Sequence, residues 1–599
     1  MYFSNIPIQL QKEIMNNRSK SKKILVLFLF LITGFMIFLA SQLYTVIHDR
    51  HSPSQFTSNE TRAERGEILS ADGFHIATTQ QLFKAVVNTR NIDPQKKELF
   101  IKLFSIYSGM SEKKVRKRLD SRKGSVVLSY HIDPQSAQYL KSLAYKLRRM
   151  KVFVEYVRPN GRTILHGLNI LPSGEKRRYP YQDLLTPIVG YIHKVEDNSY
   201  TRVRGVKGIE KSFDNVLNSQ EDGKQYGLRD VNNYMILNKK SYTKADVDGL
   251  NVQLSIPVTL QKRVEQMLSK MKKKLDAQEI MAVVMESSTG KVISMASSNR
   301  FKPNHIRRSD YPSLNSNVVE YSFEPGSVLK PIIFALLLEE KLINPYDLVN
   351  GHNGRMKMGR KTITDEHRFK WLSAENVIVH SSNIGIAQLA QKLSALSYYQ
   401  GLIDFGFAQK SNIKLPYEKQ GSIPAINQLK SEIYKATASY GYGLNVNVMQ
   451  LLKAYNVFNN RGRILQPYFV EKLIDMHGNV RELKPEGSVQ VTSTATAQRM
   501  KNILIKTVQE GTGVNTIIPG LEIGGKTGTA HIAEKGRYVN KYNTSFFGFA
   551  NDKEKSYTIG VTVVQPKQNH FASLTAVPTY KQVVELLIEF DYLTPQTSD

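Results

Sequence analysis

Cysteine is absent from all 599 residues. That excludes thiol nucleophiles, cysteine-ligated zinc and iron–sulfur chemistry, while a secreted domain of this size needs no disulfide. Long apolar runs are scarce as well. One stretch, residues 24–43, opens ILVLFLFLITGFMIFLA without a charge. A helix of that length, at about 1.5 Å per residue, spans about 30 Å and crosses a hydrocarbon core. A cleavable signal would carry a shorter apolar region of about 7–15 residues and a small-x-small cleavage site. Here apolar character runs on through Gln42-Leu43-Tyr44-Thr45-Val46, and Ala40-Ser41-Gln42 is a poor site. An uncleaved anchor is therefore expected. Lys12, Arg18, Lys20, Lys22 and Lys23 precede it, which places the N-terminus in the cytoplasm and the remaining mass beyond the membrane.

Acidic residues are few: 52 Asp+Glu stand against 82 Lys+Arg, a net charge of +30. Such an excess invites a nucleic-acid reading. The positives, however, fall in short runs such as Lys272-Lys273-Lys274, beside apolar helical positions. A solvated basic surface, attracted to anionic lipid or wall polymer, is the better reading, with no nucleic-acid partner. Repeats and low-complexity stretches are missing too.

The length is too great for one core, so at least two units are expected. From the anchor to about residue 250 the pattern is polar and mixed, with a strand-like piece at 124–130 and a helix-like piece at 136–147. Beyond 250 the signals sharpen. Leu260, Val264, Met267, Leu268, Met271 and Leu275 fall at helical spacing. Residues 280–285 and 292–296 read as strands, as do 545–550 and 557–564, before a closing helix near 581–590. The expected fold class is α+β, an antiparallel sheet flanked by helices. The expected division is a cytoplasmic tail (1–23), an anchor (24–43), a non-catalytic module (44–250) and a catalytic domain (251–599).

Three short motifs carry chemistry. Glu324-Pro-Gly-Ser327-Val-Leu-Lys330 precedes an apolar run at 332–338 too short to span a membrane. Deep in a helix, Pro331 would press on the carbonyl of Ser327, so the helix should start at about Ser327. A hydroxyl and a free N–H at a helix start suit a nucleophile beside an oxyanion site. Lys330, one turn on among apolar neighbours, should lose proton affinity and serve as base. A bare S-x-x-K is more often a capping serine with a snorkelling lysine. Two further motifs change that balance: Ser381-Ser382-Asn383 between helix-like segments, and Lys526-Thr527-Gly528-Thr529 on a strand rich in small residues. Ser381 follows Ser327 by 54 residues, and Lys526 follows Ser381 by 145. S-x-x-K, S-x-N and K-T-G in that order are the signature of penicillin-interacting enzymes.

On these residues the chain resembles the class B penicillin-binding proteins, most closely the division-specific FtsI type. Further likenesses are Arg65-Gly66-Glu67-Ile68, Asp72-Gly73, Arg178-Tyr179-Pro180, Gly208-Ile209-Glu210, Tyr440-Gly-Tyr-Gly443 and Glu510-Gly-Thr-Gly513. Leu254-Ser-Ile-Pro257 and Asp72 depart from the family pattern, which bears on the domain junction and not on the chemistry. The resemblance implies a pedestal-type or dimerisation-type domain at 44–250 and a D,D-transpeptidase that cross-links peptidoglycan stem peptides. Ser327 would be acylated, Lys330 would take its proton, and Ser381 with Lys526 would relay a proton to the leaving D-alanine. Asn383 would bind the donor amide. Thr527 and Thr529 would meet its terminal carboxylate, Gly528 between them would also bind substrate, and the N–H groups of Ser327 and Thr529 would form the oxyanion hole. No metal or other cofactor is implied. Implied partners are stem peptides, β-lactams bonded covalently to Ser327, the membrane, a membrane-embedded glycosyltransferase and other division proteins. The implied location is the inner membrane, with the catalytic domain periplasmic. An elongation-specific transpeptidase, a β-lactamase or β-lactam sensor, and a non-catalytic scaffold are the alternatives.

Overall fold

A computed structural model describes residues 8–47, 56–157, 163–164, 167–197, 200–230, 235–236, 238–239, 241–534 and 536–596. The chain divides into two units, 1–62 with 222–246, and 63–221 with 247–599. In the first, helix α1 (Ile8–Ile47) contains a segment, Ser19–Ile47, long and apolar enough to cross a membrane. It extends past the expected 24–43 at both ends. Thr33 and Thr45 return their hydroxyls to the carbonyls of Leu29 and Ser41, which satisfies these polar groups inside the helix, as a lipid surround requires. The same unit holds an antiparallel pair, Phe56–Thr61 with Gly223–Arg229, on which two shorter strands rest.

The second unit opens with strands β1 (Ile68–Leu69), β2 (His75–Asn88), β3 (Ser125–Ile132), β4 (Leu168–Arg178), β5 (Ile192–Asp197) and β6 (Tyr200–Gly205). Helix α2 (Pro134–Arg149) lies between β3 and β4. The pedestal likenesses of the sequence meet at one buried carboxylate. Glu210 pairs with Arg65 (2.7 Å) and Arg177 (2.7 Å) and accepts the Tyr179 hydroxyl (3.2 Å). Arg177 is the buried arginine here, and Arg178, singled out in the sequence, is exposed. Burial alone would raise the Glu210 carboxyl, but the two guanidiniums outweigh it and hold its pKa below the usual range.

Strand β7 (Asn251–Leu254) runs parallel to β1 and antiparallel to β8 (Val470–Ile474), so one nine-stranded sheet crosses the sequence boundary at 250. Helix α3 (Val258–Leu275) then begins at Pro257, which has no side-chain cap to offer. Asp72 supplies the missing acceptor, taking the Val258 N–H at 3.1 Å, while Ser255 Oγ donates to the Val292 carbonyl at 2.6 Å. The two departures from the family pattern are thus complementary, and the junction is closed. Asp72→Ala should cost about 1 kcal/mol, as loss of a helix cap does, read as a lower denaturant midpoint. Adding Pro257→Asp should recover it, and an unchanged midpoint in Asp72→Ala would show that the cap carries no stability. The Lys272-Lys273-Lys274 run falls in the last turn of α3, where cations complement the helix dipole.

The catalytic half is built on a five-stranded antiparallel sheet. Its members are β9 (Glu279–Glu286), β10 (Val292–Ser297), β11 (Glu522–Glu534), β12 (Arg537–Asn551) and β13 (Ser556–Val564), ordered β10-β9-β13-β12-β11. Along β9 both faces are buried. Ile280, Ala282 and Val284 enter the core shared with α3 and the closing helix Ala576–Glu589, while Met281, Val283 and Met285 enter the larger core on the opposite face. A sheet covered on both sides needs continuous apolar strands, which is what 280–285 shows. Edge strand β11 carries the Lys526–Thr529 motif.

Candidate active site

Ser327 sits in a 3₁₀ turn, Gly326–Leu329, and the α-helix proper (α4, Lys330–Glu339) starts three residues later than expected, with Pro331 in its first turn. A 3₁₀ turn leading into an α-helix satisfies Pro331 equally well, because no carbonyl need reach its missing N–H. The turn is clamped from three sides. Gly326 N–H donates to the Gly441 carbonyl (3.1 Å), and the Tyr455 hydroxyl donates to the Val328 carbonyl (2.7 Å). Edge strand β11 lies directly along the turn. A Cβ on Gly528 would stand 2.8 Å from Val328 Cγ1, and one on Gly441 2.1 Å from the Gly326 carbonyl oxygen. Gly528 and Gly441 therefore serve close packing around the Ser327 turn.

Helix α4 is buried on every side, as an all-apolar helix must be, and Lys330 is carried in with it at 0% exposure. Its Nζ donates to the Ser381 carbonyl and to Ser381 Oγ (3.2 Å). Burial lowers the Lys330 pKa far below the ordinary lysine range, and the nearby Lys526 ammonium lowers it further. An amine one turn from Ser327 and bonded to Ser381, its protonated form disfavoured by burial, is placed to accept a proton from either hydroxyl. The hydrogen bonds of Lys330 go to Ser381 in this arrangement; catalytic contacts in resting enzymes commonly tighten only with substrate.

Ser381 occupies the left-handed region (φ 60°) between helices α5 (Ala374–Val379) and α6 (Asn383–Ala390). The start of α6 is held by Asp365, which accepts from Asn383 N–H (2.6 Å), Ile384 N–H (3.0 Å) and the Ser382 hydroxyl. A carboxylate at a helix N-terminus both caps and complements the dipole. Asp365 thereby fixes Ser381 and Asn383 relative to the hairpin that carries Thr364. The sequence held no signal for it, since a lone aspartate 17 residues before Ser382 resembles any turn residue.

Lys526 on β11 is also fully buried. Desolvation brings its pKa down to about 7. It donates to the Thr527 carbonyl (3.3 Å) and Oγ1 (3.4 Å) rather than to Ser381. Thr527 Oγ1 also meets Thr512 Oγ1 at 2.6 Å, which gives the 510–513 likeness a place in the site. The remaining motif residues divide between two cavities. Asn383, whose amide donates to the Thr364 carbonyl (2.9 Å), lines one of about 430 Å³ with Lys361, Tyr440, Tyr442, His531 and Tyr538. Thr527 and Thr529 line another of about 710 Å³ with Glu366, His380 and Glu510. Glu324 braces the first cavity, accepting Gly443 N–H (2.7 Å) and the Tyr538 hydroxyl (3.2 Å).

A serine turn, a buried amine and a strand edge lined with hydroxyls make a site for serine acyl transfer. The comparisons with known proteins agree: residues 280–585 match the penicillin binding protein transpeptidase domain and residues 60–254 the penicillin-binding protein dimerisation domain, so the chain belongs to the penicillin-binding proteins, as a class B member of the FtsI type. It is 26% identical to peptidoglycan D,D-transpeptidase FtsI of Buchnera aphidicola, over 98% of each chain. With stage V sporulation protein D of Bacillus subtilis it shares 27% identity over 86% of this chain and 76% of that one. Its fold matches penicillin binding protein 3 of Mycobacterium tuberculosis, solved with aztreonam, at a TM-score of 0.65 and 22% identity, over 90% of this chain and 98% of that one.

Proposed function

We propose that this D,D-transpeptidase cross-links peptidoglycan stem peptides at the division septum through an acyl ester on Ser327. The observation that carries the reading is Lys330, buried without exposure, one turn from Ser327 and bonded to Ser381. Neutral Lys330 takes the Ser327 proton as Oγ attacks the D-alanyl carbonyl. Ser381 passes a proton to the departing D-alanine, with Lys526 holding the relay electrostatically. Asn383 aligns the donor amide, Thr527 and Thr529 bind the terminal carboxylate, and the N–H groups of Ser327 and Thr529 stabilise the oxyanion. β-Lactams acylate the same serine, in keeping with the aztreonam complex of the mycobacterial relative. By role rather than by compact unit, the chain is divided into a tail (1–23), an anchor (24–43), a pedestal (44–250) and a catalytic part (251–599), with the tail cytoplasmic and the catalytic part periplasmic. A glycosyltransferase in the same membrane is its natural partner, because cross-linking needs newly polymerised strands.

The septal role is favoured by the end-to-end match to the FtsI relative. Depletion followed by microscopy tests it. Filaments with unfinished septa are expected, and rounded cells would assign the protein to elongation instead.

A further inference from the structure

Lys207 lies in the dimerisation-domain match, yet its side chain is spent on the transpeptidase match. Its backbone has little room to move. A Cβ on Gly190 would stand 1.8 Å from the Lys207 carbonyl oxygen, and one on Gly208 2.2 Å from the Ile188 carbonyl oxygen. Glu210, the buried carboxylate held by Arg65 and Arg177, follows three residues on. From this fixed base the Lys207 ammonium reaches Glu320 Oε2 at 2.5 Å and Asn315 Oδ1 at 2.9 Å. It also lies 4.3 Å from the centre of the Tyr417 ring, whose hydroxyl donates back to the Val206 carbonyl (3.4 Å). The side chains of Lys207 and Glu320 are only 16% and 8% exposed, so salt and water screen the pair weakly. Without the ammonium, Glu320 would be a nearly buried carboxylate that has lost its counter-charge.

Glu320 ends the short helix Asn317–Glu320, and Ser327 comes seven residues later. Residues 321–325 are neither helix nor strand apart from one bridge, Phe323 with Val446. Their course is therefore set by ties to neighbours, and each tie holds a different wall of the site. The Asn543 amide on β12 donates to the Tyr321 hydroxyl (2.9 Å). Phe323 and Val446 exchange two backbone hydrogen bonds, of 2.9 and 3.0 Å. Glu324 then accepts from Gly443 and Tyr538, and Gly326 donates to Gly441. Behind this segment, the helix is fixed at its start by Asn317, whose amide donates to buried Glu279 (2.6 Å). Its end is fixed by the Val319 carbonyl, which accepts Lys419 N–H (2.9 Å), and by Lys207 on Glu320.

We infer that Lys207 and Glu320 are a positioning pair for acylation: their contact sets how the chain enters the Ser327 turn and, through Tyr321, Phe323 and Glu324, how the walls beside it stand. The assignment rests on the acyl-transfer reading above. Neither residue touches substrate. A misplacement of about 1 Å at a reacting group costs about a hundredfold in rate, so a fraction of that displacement, passed along seven residues, is readable in kinetics.

The test uses the full chain in detergent and a fluorescent penicillin, read in two ways. The labelled fraction at completion counts folded sites, and the limiting acylation rate constant reports their geometry. Lys207→Met should lower the rate constant at least fivefold, with the labelled fraction and the half-saturating penicillin concentration near wild type. Lys207→Arg should recover most of the loss. Glu320→Gln, which keeps an acceptor for Ser316 N–H, should lose rate to a similar degree, and the double variant should lose little more, because the two act as a unit. Glu320→Gln is the milder change, and its rate constant decides the matter if Lys207→Met yields no labelled protein. Wild-type rate constants in the single variants, a lower labelled fraction at an unchanged rate constant, or losses that multiply in the double variant would overturn the positioning role while leaving the Ser327 adduct intact. If wild type took up no label at all, the proposed function itself would fall first.

Discussion

Ser327→Ala protein is expected to fold, to insert in membranes, and to take up no fluorescent penicillin. The Ser327 side chain is half-buried, and truncating one hydroxyl there opens no void in either core. The clamps on the turn use backbone groups of Gly326 and Val328, which the substitution leaves in place. The proposed chemistry, by contrast, loses the atom that would form the covalent bond. Ser382 cannot substitute, because its Oγ is committed to the α6 cap through Gly385 N–H and Asp365. Transpeptidation should fall by at least about a thousandfold, the scale of losing a catalytic nucleophile. Persistent labelling of folded Ser327→Ala protein would transfer the nucleophile to another residue.

Lys330→Met separates proton transfer from packing. Methionine fills nearly the same volume in an apolar helix and cannot accept a proton. The Ser381 carbonyl loses a donor, which costs about 1–3 kcal/mol, but the burial of an amine is relieved at the same time. Acylation by penicillin should slow by about 10²–10⁴-fold, the usual worth of a general base, with a much smaller change in unfolding midpoint. The pH dependence has a definite sign. Burial and the Lys526 ammonium both disfavour protonated Lys330, so wild-type acylation falls only when pH drops through its lowered pKa. Lys526 is charged below about 7. Lys526→Met removes that repulsion, so Lys330 keeps its proton to higher pH and the acid limb of the acylation profile moves toward alkaline pH. A limb that moved the other way, or Lys330→Met protein acylating at the wild-type rate, would remove Lys330 as the base.

Much of this site was legible because its chemistry is stated by residue type at fixed local spacing. Ser327 with Lys330, Ser381 with Asn383, and Lys526 with Thr529 each lie within one turn or one strand segment. The apolar runs at 280–285 and 557–564 announced a sheet buried on both faces. What stayed hidden depends on distant partners. Asp365 acts through Ser382, Asn383 and Ile384, Tyr455 through a carbonyl 127 residues earlier, and Glu324 through Gly443 and Tyr538. The 3₁₀ turn at Ser327 escaped because apolar spacing does not distinguish it from the first turn of an α-helix. The hairpin arm of β11 and β12 ran beyond its apolar stretch, since its outer residues are exposed and carry no alternating pattern. The pairing of β7 with β8 joins segments some two hundred residues apart, and no local signal encodes such a register. Even so, the family likenesses at Arg65 and Glu210 pointed to a real network, with Arg177 in place of its neighbour.

Acylation of Ser327, with buried Lys330 as its base, is the step on which the proposed function depends. Its most direct test is to react the wild-type protein with penicillin, digest it, and map the adduct by mass spectrometry. One added acyl group per chain is expected, on the peptide containing Ser327, forming more slowly as pH falls. An adduct on any other residue, or none on folded protein, would contradict it.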